Sequence, residues 1–353
     1  MVLEETTLLL PEATREDVAA FFEPRAAAID AGAEDIREGL VWLHQRLLRE
    51  DASPSLPDVG AAIATVAWSD MSSAFSLWSH RAVVEYLTPL PAGSFLADTL
   101  APRLRRTATL GSTALAPAIA YTLEQVPLPV TARRAGRSLV LDGRIAWASN
   151  LFPPDFVLVT VVAGPDGTPC VVAIPGDAPG LQVAPEPPLL ALQATGSSSV
   201  TLDQTPIGEE WVISHDLPGF MRRVRPVLLL LQSCFSWGLA ARSLSEARAH
   251  LRGSTQIFLP EIDAMEERLA RLGREIARAL ADRGQSLGMR GVVQTRLDIA
   301  RLAAAAVATE AKVLGGRGFL ATSGTARRLR EAAFLPIQSP TEAQLLTELS
   351  RSA

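Results

Sequence analysis

The chain has 353 residues, of which 48 % are apolar and 20 % are charged, so it can build a sizeable hydrophobic core. This length exceeds what one core usually serves, and two or three structural regions are expected. The net charge of −5 disfavours a nucleic-acid partner, because phosphate binding requires a concentrated positive field.

The compartment and the metal content also follow from simple counts. The N-terminal sequence lacks the basic and apolar regions of a signal peptide, so a cytoplasmic protein is expected. The longest apolar run, residues 227–235, is too short and too interrupted to span a bilayer. Cys170 and Cys234 have no metal or redox spacing, and no two histidines are paired at helical spacing. We therefore expect a reduced protein without a membrane segment or a metal site.

Residues 1–117 are predicted to form a helical domain. Apolar residues recur at helical spacing from residue 17 to residue 49, and residues 51–57 follow as a cluster of helix breakers. Residues 59–87 are rich in small and large apolar side chains with few charges, which predicts a helix buried on all sides.

Residues 118–215 are predicted to form a β-domain, either a barrel or a sandwich. Four short runs are β-branched or alternate in polarity, as strands do: residues 138–142, 156–162, 170–174 and 198–202. Glycine-containing turn sequences separate these runs at hairpin spacing.

Residues 216–353 are predicted to form a C-terminal four-helix bundle. The helical period returns in three long stretches, residues 221–250, 261–282 and 292–314. Gly315 and Gly316 fit the end of the third helix. Ser339 and Glu342 are interpreted as a capping box for a final helix.

Two segments resemble the acyl-CoA dehydrogenase family. Gly315-Gly316, Arg327-Arg328 and Thr341 recur at the same intervals in that family, without a gap from residue 312 to residue 341. Residues 142–150 resemble the strand in which a tryptophan and a hydroxyl residue contact the family's flavin. The order of helices, β-domain and helical bundle is also that of the family. The resemblance implies an α+β, mainly α, acyl-CoA dehydrogenase fold.

The resemblance implies a flavin site around the second segment. Trp147 would lie against the isoalloxazine ring, and Ser149 would form a hydrogen bond near flavin N5. A strand period of two places both side chains on one face. The alternative is that Trp147 is a core residue of the β-domain and Ser149 a turn residue.

Other cofactor contacts are implied by matching positions. Thr122 and Leu123 occupy the segment whose backbone would meet the flavin pyrimidine ring. Gly315 and Gly316 would let the backbone approach the cofactor closely, and Thr341 would cap a helix that faces adenosine or phosphate. Ordinary helix capping is the alternative for these last three. FAD is the implied cofactor, with FMN or reduced flavin as alternatives because several family motifs are altered.

The catalytic base of the family is replaced. Ser339 stands where those dehydrogenases usually carry the glutamate that removes the α-proton, and a serine hydroxyl is too weak a base for that step. Glu342 is a candidate for a relocated base, with helix capping as the alternative. His80 is a third candidate, because histidines near the flavin assist oxygen chemistry in monooxygenases of this fold. The alternative is that His80 is a core residue.

Three functions are consistent with these residues. The first is a flavin-dependent oxidoreductase that oxidises the α,β bond of an acyl thioester, carried by CoA or by an acyl carrier protein. The second is a monooxygenase that uses reduced flavin and O2, and the third is a non-catalytic subunit of a hetero-oligomer. The resemblance implies an electron-transfer flavoprotein or a flavin reductase as partner, and a homodimer or homotetramer. The dehydrogenase is favoured because both matching segments resemble that branch.

Overall fold

The computed structural model describes residues 8–48 and 54–351, and its elements follow the predicted order. Helices come first, a mixed β-sheet follows, and long helices end the chain. The α+β, mainly α, fold class is therefore confirmed. The division at residues 118 and 216 stays a prediction.

The N-terminal region is built from short helices and two longer buried ones. In chain order these are α1 (Glu12–Phe22), α2 (Ala26–Asp30), α3 (Arg37–Arg46), α4 (Leu56–Ser69), α5 (Met71–Leu87), α6 (Ala101–Arg105) and α7 (Ala116–Glu124). The predicted helical pattern is interrupted at Pro24, which cannot continue a helix, and at Gly32, whose φ is 73°. Residue 49 and the first part of the predicted breaker cluster, residues 51–53, lie outside the described residues.

The buried helix predicted over residues 59–87 is two helices, α4 and α5. Asp70 leaves the helical conformation, with φ −148° and ψ 110°. Its carboxylate oxygens accept hydrogen bonds from the backbone of Ser72 at 3.1 Å and of Ser73 at 3.0 Å. An aspartate N-cap therefore ends one helix and begins the next.

The central region is one mixed sheet. Its strands are β1 (Leu110–Ala114), β2 (Val130–Ala135), β3 (Ser138–Ala148), β4 (Phe156–Ala163), β5 (Pro169–Pro175), β6 (Leu181–Val183), β7 (Ser198–Gly208) and β8 (Val212–Ser214). The strand order is β6-β7-β3-β2-β4-β5-β8, and β1 pairs with β4 in parallel. The four predicted strands are all present as β3, β4, β5 and β7. The sheet also takes in β1, which precedes the predicted boundary at residue 118.

The C-terminal region confirms the three long predicted helices. Its helices are α8 (Leu217–Ala249), α9 (Leu259–Ala281), α10 (Gly288–Leu314), α11 (Gly324–Ala332) and α12 (Glu342–Arg351). α8 packs against α4, α9 and α10. It is long and apolar enough to cross a membrane, but 94 % of its most apolar stretch is buried inside the protein. α8 is therefore a central core helix, and α10 ends at Gly315 as predicted.

The predicted capping box of the last helix is wrong by two residues. The backbone N–H of Thr341 donates to Gln344 Oε1 at 2.9 Å, and that of Gln344 donates to Thr341 Oγ1 at 3.3 Å. Because α12 begins at Glu342, Thr341 is the N-cap and Gln344 is the third helical residue. Ser339 lies too early to take part.

Two hydrophobic clusters lie on opposite faces of the sheet. Alternate residues of β4 show this, because Val157 and Val159 belong to the larger cluster with the helices, whereas Phe156 and Leu158 belong to the second. The strand period of two thus makes β4 a wall shared by both cores.

Candidate functional site

Trp147 projects from the end of β3 and is 58 % exposed. The pairing of β3 with β7 shifts register between Ile145 and Ala148, both of which are buried in the second cluster. A β-bulge with this shift places two residues, Ala146 and Trp147, outside the core between two buried ones. The alternative that Trp147 is a core residue of the β-domain is therefore wrong.

Ser149 follows Trp147 at the first position past β3 and is half-buried. Its Oγ lies 2.8 Å from Ser197 Oγ, which lies 2.7 Å from Thr195 Oγ1. Thr195 in turn donates to the carbonyl oxygen of Leu192 at 2.7 Å. We call these three hydroxyls, Ser149, Ser197 and Thr195, the hydroxyl chain. It links the residue that follows β3 to the segment that precedes β7.

Asn150 fixes the end of β3 to two other elements. Its Nδ2 donates to the carbonyl oxygens of Ser76 on α5 at 2.9 Å and of Gly111 on β1 at 3.0 Å. Its backbone has φ 60°, a conformation that asparagine tolerates better than most residues. The backbone N–H of Asn150 donates to Thr195 O at 2.8 Å. Trp147 and Ser149 therefore stand on a strand end that is fixed on three sides.

His80 belongs to the same support. Its Nδ1 accepts the backbone N–H of Gly111 at 3.0 Å, and its side chain is buried. Burial and the neighbouring Arg81 charge lower the pKa of His80 from 6.5 to about 3, so the ring is neutral. A Cβ at Gly111 would lie 2.6 Å from Val83 Cβ, so glycine is required for this close approach. These contacts favour the core interpretation of His80, and its catalytic role stays a prediction.

Thr122 and Leu123 lie in the last turn of α7, and Leu123 is bonded to α12. The Thr122 hydroxyl donates to Ala118 O at 2.7 Å, within its own helix. Arg351 of α12 donates to Leu123 O at 2.7 Å. The segment is helical at this point, so most of its backbone amides are used within α7. Its contact with a flavin stays a prediction.

The turn that carries Ser339 is held by a buried arginine. Gln232 of α8 donates to Ser339 O at 3.0 Å, and its Oε1 accepts from Arg296 Nε at 3.1 Å. Arg296 also donates to Gln338 Oε1 at 3.1 Å. Arg296 is fully buried, and desolvation lowers its pKa to about 10. The Ser339 backbone is thus bonded to α8 directly, and Arg296 of α10 holds the neighbouring Gln338, while the Ser339 side chain is half-buried.

Glu342 is held on the outside of the same region. Its Oε1 accepts from Arg301 Nε at 2.9 Å and from Arg301 Nη2 at 2.7 Å. The Glu342 side chain is 32 % exposed. The Glu342 carboxylate is therefore already engaged by Arg301 through one of its two oxygens.

Gly315 and Gly316 leave open space over the backbone. A Cβ at either position would meet no atom within 4 Å among the described residues. Gly315 has φ 56° and ψ −137°, a conformation that is essentially restricted to glycine. Thr341 uses its hydroxyl in the α12 cap. Capping thus accounts for Thr341 and Gly315, and their cofactor contacts stay predictions.

Sequence reasoning missed the supporting residues of the site. Asn150 stood inside the matching strand motif, but its tie to α5 joins residues 74 positions apart. Arg296 and Gln232 are 64 positions apart and carried no local pattern. Asparagine directly after a strand, in a segment with a flavin-like motif, was the available signal for the first of these.

No protein-family model and no curated protein sequence matches this chain, but solved structures do. The acyl-CoA dehydrogenase from Geobacillus kaustophilus is 14 % identical with a TM-score of 0.85, over 98 % of this chain and 99 % of that one. Dibenzothiophene monooxygenase (TdsC) from a Paenibacillus species is 17 % identical with a TM-score of 0.78, over 96 % and 95 %. KijD3, in complex with FMN and a dTDP-sugar, is 20 % identical with a TM-score of 0.81, over 99 % and 96 %. The chain therefore has the acyl-CoA dehydrogenase fold along nearly its whole length.

Proposed function

We propose that this chain is a flavin-dependent oxidoreductase whose flavin lies against Trp147 and Ser149. The observation that carries the proposal is the exposed indole of Trp147 beside a polar, half-buried hydroxyl on a strand end that is fixed from three sides. The indole is 58 % exposed, so its face is available to a ligand. The solved complex of KijD3 with FMN supports a flavin on this fold.

The residues present fit a flavin by their chemistry. The indole of Trp147 would cover an apolar ring, and the Ser149 hydroxyl would meet a polar ring atom. The uncovered backbone at Gly315 and Gly316 would admit the extended part of FAD, and FMN would not need it. When bound, the flavin would supply two-electron transfer, and the protein would position it and exclude water.

The three candidate bases support oxygenation over α,β-dehydrogenation. Ser339 is too weak a base to remove an α-proton at neutral pH. The Glu342 carboxylate is paired with Arg301, and the His80 ring is buried with Nδ1 already accepting a hydrogen bond. A dehydrogenase would need a carboxylate at another position. A monooxygenase that receives reduced flavin needs no such base, and the structural match to TdsC is consistent with that chemistry. We therefore propose a flavin-dependent monooxygenase, with an acyl thioester on CoA or on a carrier protein as substrate.

One experiment separates the two reactions. The purified protein is loaded with FMN or FAD and mixed without oxygen with a panel of acyl thioesters on CoA and on acyl carrier protein. We expect the absorbance of oxidised flavin to persist. With reduced flavin from a flavin reductase and O2, we expect a thioester that gains one oxygen atom. Rapid bleaching of the oxidised flavin by a thioester would instead establish a dehydrogenase, and a protein that binds neither flavin would exclude both enzymes.

A further inference from the structure

In the hydroxyl chain, each hydroxyl donates its proton in one fixed direction. That direction is set at Thr195, the most buried of the three. Thr195 Oγ1 lies 2.7 Å from the carbonyl oxygen of Leu192. Two oxygens at this distance need a proton between them, and a carbonyl oxygen can only accept. Thr195 therefore donates its single hydroxyl proton to the carbonyl oxygen of Leu192.

The Thr195 proton also determines which atom donates in the other two contacts of the hydroxyl chain. Because the Thr195 proton is engaged, the contact of 2.7 Å between Thr195 and Ser197 requires Ser197 to donate. The contact of 2.8 Å between Ser197 and Ser149 then requires Ser149 to donate. Ser149 is left with lone pairs and no free proton for a further partner. Toward a ligand, its hydroxyl is therefore an acceptor.

Burial and neighbouring backbone hydrogen bonds maintain this direction of donation in the hydroxyl chain. Thr195 is fully buried and Ser197 is 9 % exposed, so bulk water does not compete for their protons. Two backbone hydrogen bonds, Asn150 N–H to Thr195 O at 2.8 Å and Leu151 N–H to Gly196 O at 3.0 Å, hold the two segments side by side. A ligand atom at Ser149 therefore meets an acceptor that was oriented before the ligand arrived.

We propose that the hydroxyl chain makes this site prefer reduced flavin over oxidised flavin. The proposal rests on the proposed function and takes the polar ring atom that Ser149 meets to be N5, as the resemblance implies. In oxidised flavin N5 has a lone pair and only accepts, whereas in reduced flavin N5 carries a proton and donates. Reduction of the ring takes up two electrons, and one proton goes to N5. An acceptor at Ser149 therefore matches the reduced form and faces the lone pair of the oxidised form.

The test is the midpoint potential of bound FMN, compared with that of free FMN. We expect the wild-type protein to raise the potential, because it binds the reduced form more tightly. Thr195→Val removes the inner acceptor, and Ser197→Ala frees the Ser149 proton. In each variant, Ser149 can donate its proton to the flavin. The dissociation constant of oxidised FMN divided by that of reduced FMN should therefore fall about threefold to tenfold. Tenfold corresponds to a potential about 30 mV lower for a two-electron couple.

Two further variants make the outcome specific. Thr195→Ser keeps the hydroxyl and should retain the wild-type potential. Thr205→Val is the matched control, because Thr205 is a fully buried threonine of β7 whose hydroxyl has no hydrogen-bond partner among the described residues. It should leave the potential unchanged. The proposal is overturned if bound FMN has a potential at or below that of free FMN, or if Thr195→Val and Ser197→Ala match the wild type. A wild-type protein that binds neither form of flavin overturns the proposed function as well.

Discussion

Asn150 fastens the end of β3 to α5 and β1, and its loss should destabilise the protein. Its side chain donates to two buried carbonyl oxygens, Ser76 O and Gly111 O. A hydrogen bond of this kind contributes about 0.5–1.5 kcal/mol net. Asn150→Gly keeps the backbone free to adopt φ 60° but removes both bonds, so we expect a loss of about 1–3 kcal/mol of unfolding free energy.

Asn150→Asp tests the same two contacts by placing a carboxylate where the amide donates. Aspartate has the same shape, but its carboxylate faces two carbonyl oxygens in a fully buried place. Burial would raise the pKa of this carboxyl in the folded state above its unfolded value of about 3.9. The folded state then binds more protons than the unfolded state, so stability falls as pH rises from about 4 to the folded pKa. The deficit of Asn150→Asp relative to wild type should grow with pH, whereas that of Asn150→Gly should be constant.

Urea unfolding at several pH values measures both effects. Asn150→Ala serves as a third variant, because alanine lacks the amide and is also strained at positive φ. This strain should add about 1–2 kcal/mol to the loss of unfolding free energy seen with glycine. A loss below about 0.5 kcal/mol in Asn150→Gly would mean that these two hydrogen bonds do not fix the strand end. An Asn150→Asp deficit that is independent of pH would contradict the buried position of the side chain.

Three other predictions concern the candidate site. Trp147→Ala should weaken flavin retention, seen by flavin fluorescence, without changing the melting temperature, since the indole is 58 % exposed; an unchanged affinity would remove Trp147 from the site. Ser339→Glu supplies a carboxylate and should introduce bleaching of bound flavin by acyl thioesters under anaerobic conditions, whereas Glu342→Gln should leave any such bleaching unchanged. Bleaching by the wild type that Glu342→Gln abolishes would establish Glu342 as the base. The pKa of His80 is lowered from 6.5 to about 3, so wild-type stability should decline as pH falls through this range, by up to about 1.4 kcal/mol per pH unit from this group. His80→Asn should show a smaller decline in urea unfolding, and an identical decline would mean that His80 is protonated in the folded protein.

Helix boundaries show which parts of the fold the sequence could and could not predict. The three long C-terminal helices were predicted to within four residues, because each is a long stretch and α9 also has a strong helical period. The break at Asp70 was missed because α4 and α5 are both largely buried and carry few charges, so no change of pattern marks the junction. The aspartate followed by serines was the available signal of an N-cap. At the last helix, Ser339/Glu342 and Thr341/Gln344 both satisfy the capping-box spacing, and only the start of the helix decides between them.

The candidate site depends more on contacts between distant residues. Trp147 lies near the end of β3 and Ser149 directly after it, beyond a bulge that the sequence pattern did not predict, and their contact with a flavin stays a prediction. The hydroxyl chain joins Ser149 to Ser197, 48 positions away. Its direction depends on one carbonyl oxygen, that of Leu192. Such long-range pairs leave no periodic pattern in a single sequence.

The two-sided burial of β4 has a consequence for how the chain unfolds. Val157 and Val159 pack with the helices, and Phe156 and Leu158 pack in the β cluster, so one strand contributes to both cores. β1, which is its parallel neighbour, comes from the N-terminal region of the chain. If the helices separated from the sheet, a row of β4 valines would meet water, and the neighbouring strand would lose its support. Loss of either core therefore weakens the other, and the three regions of the sequence melt together as one cooperative unit.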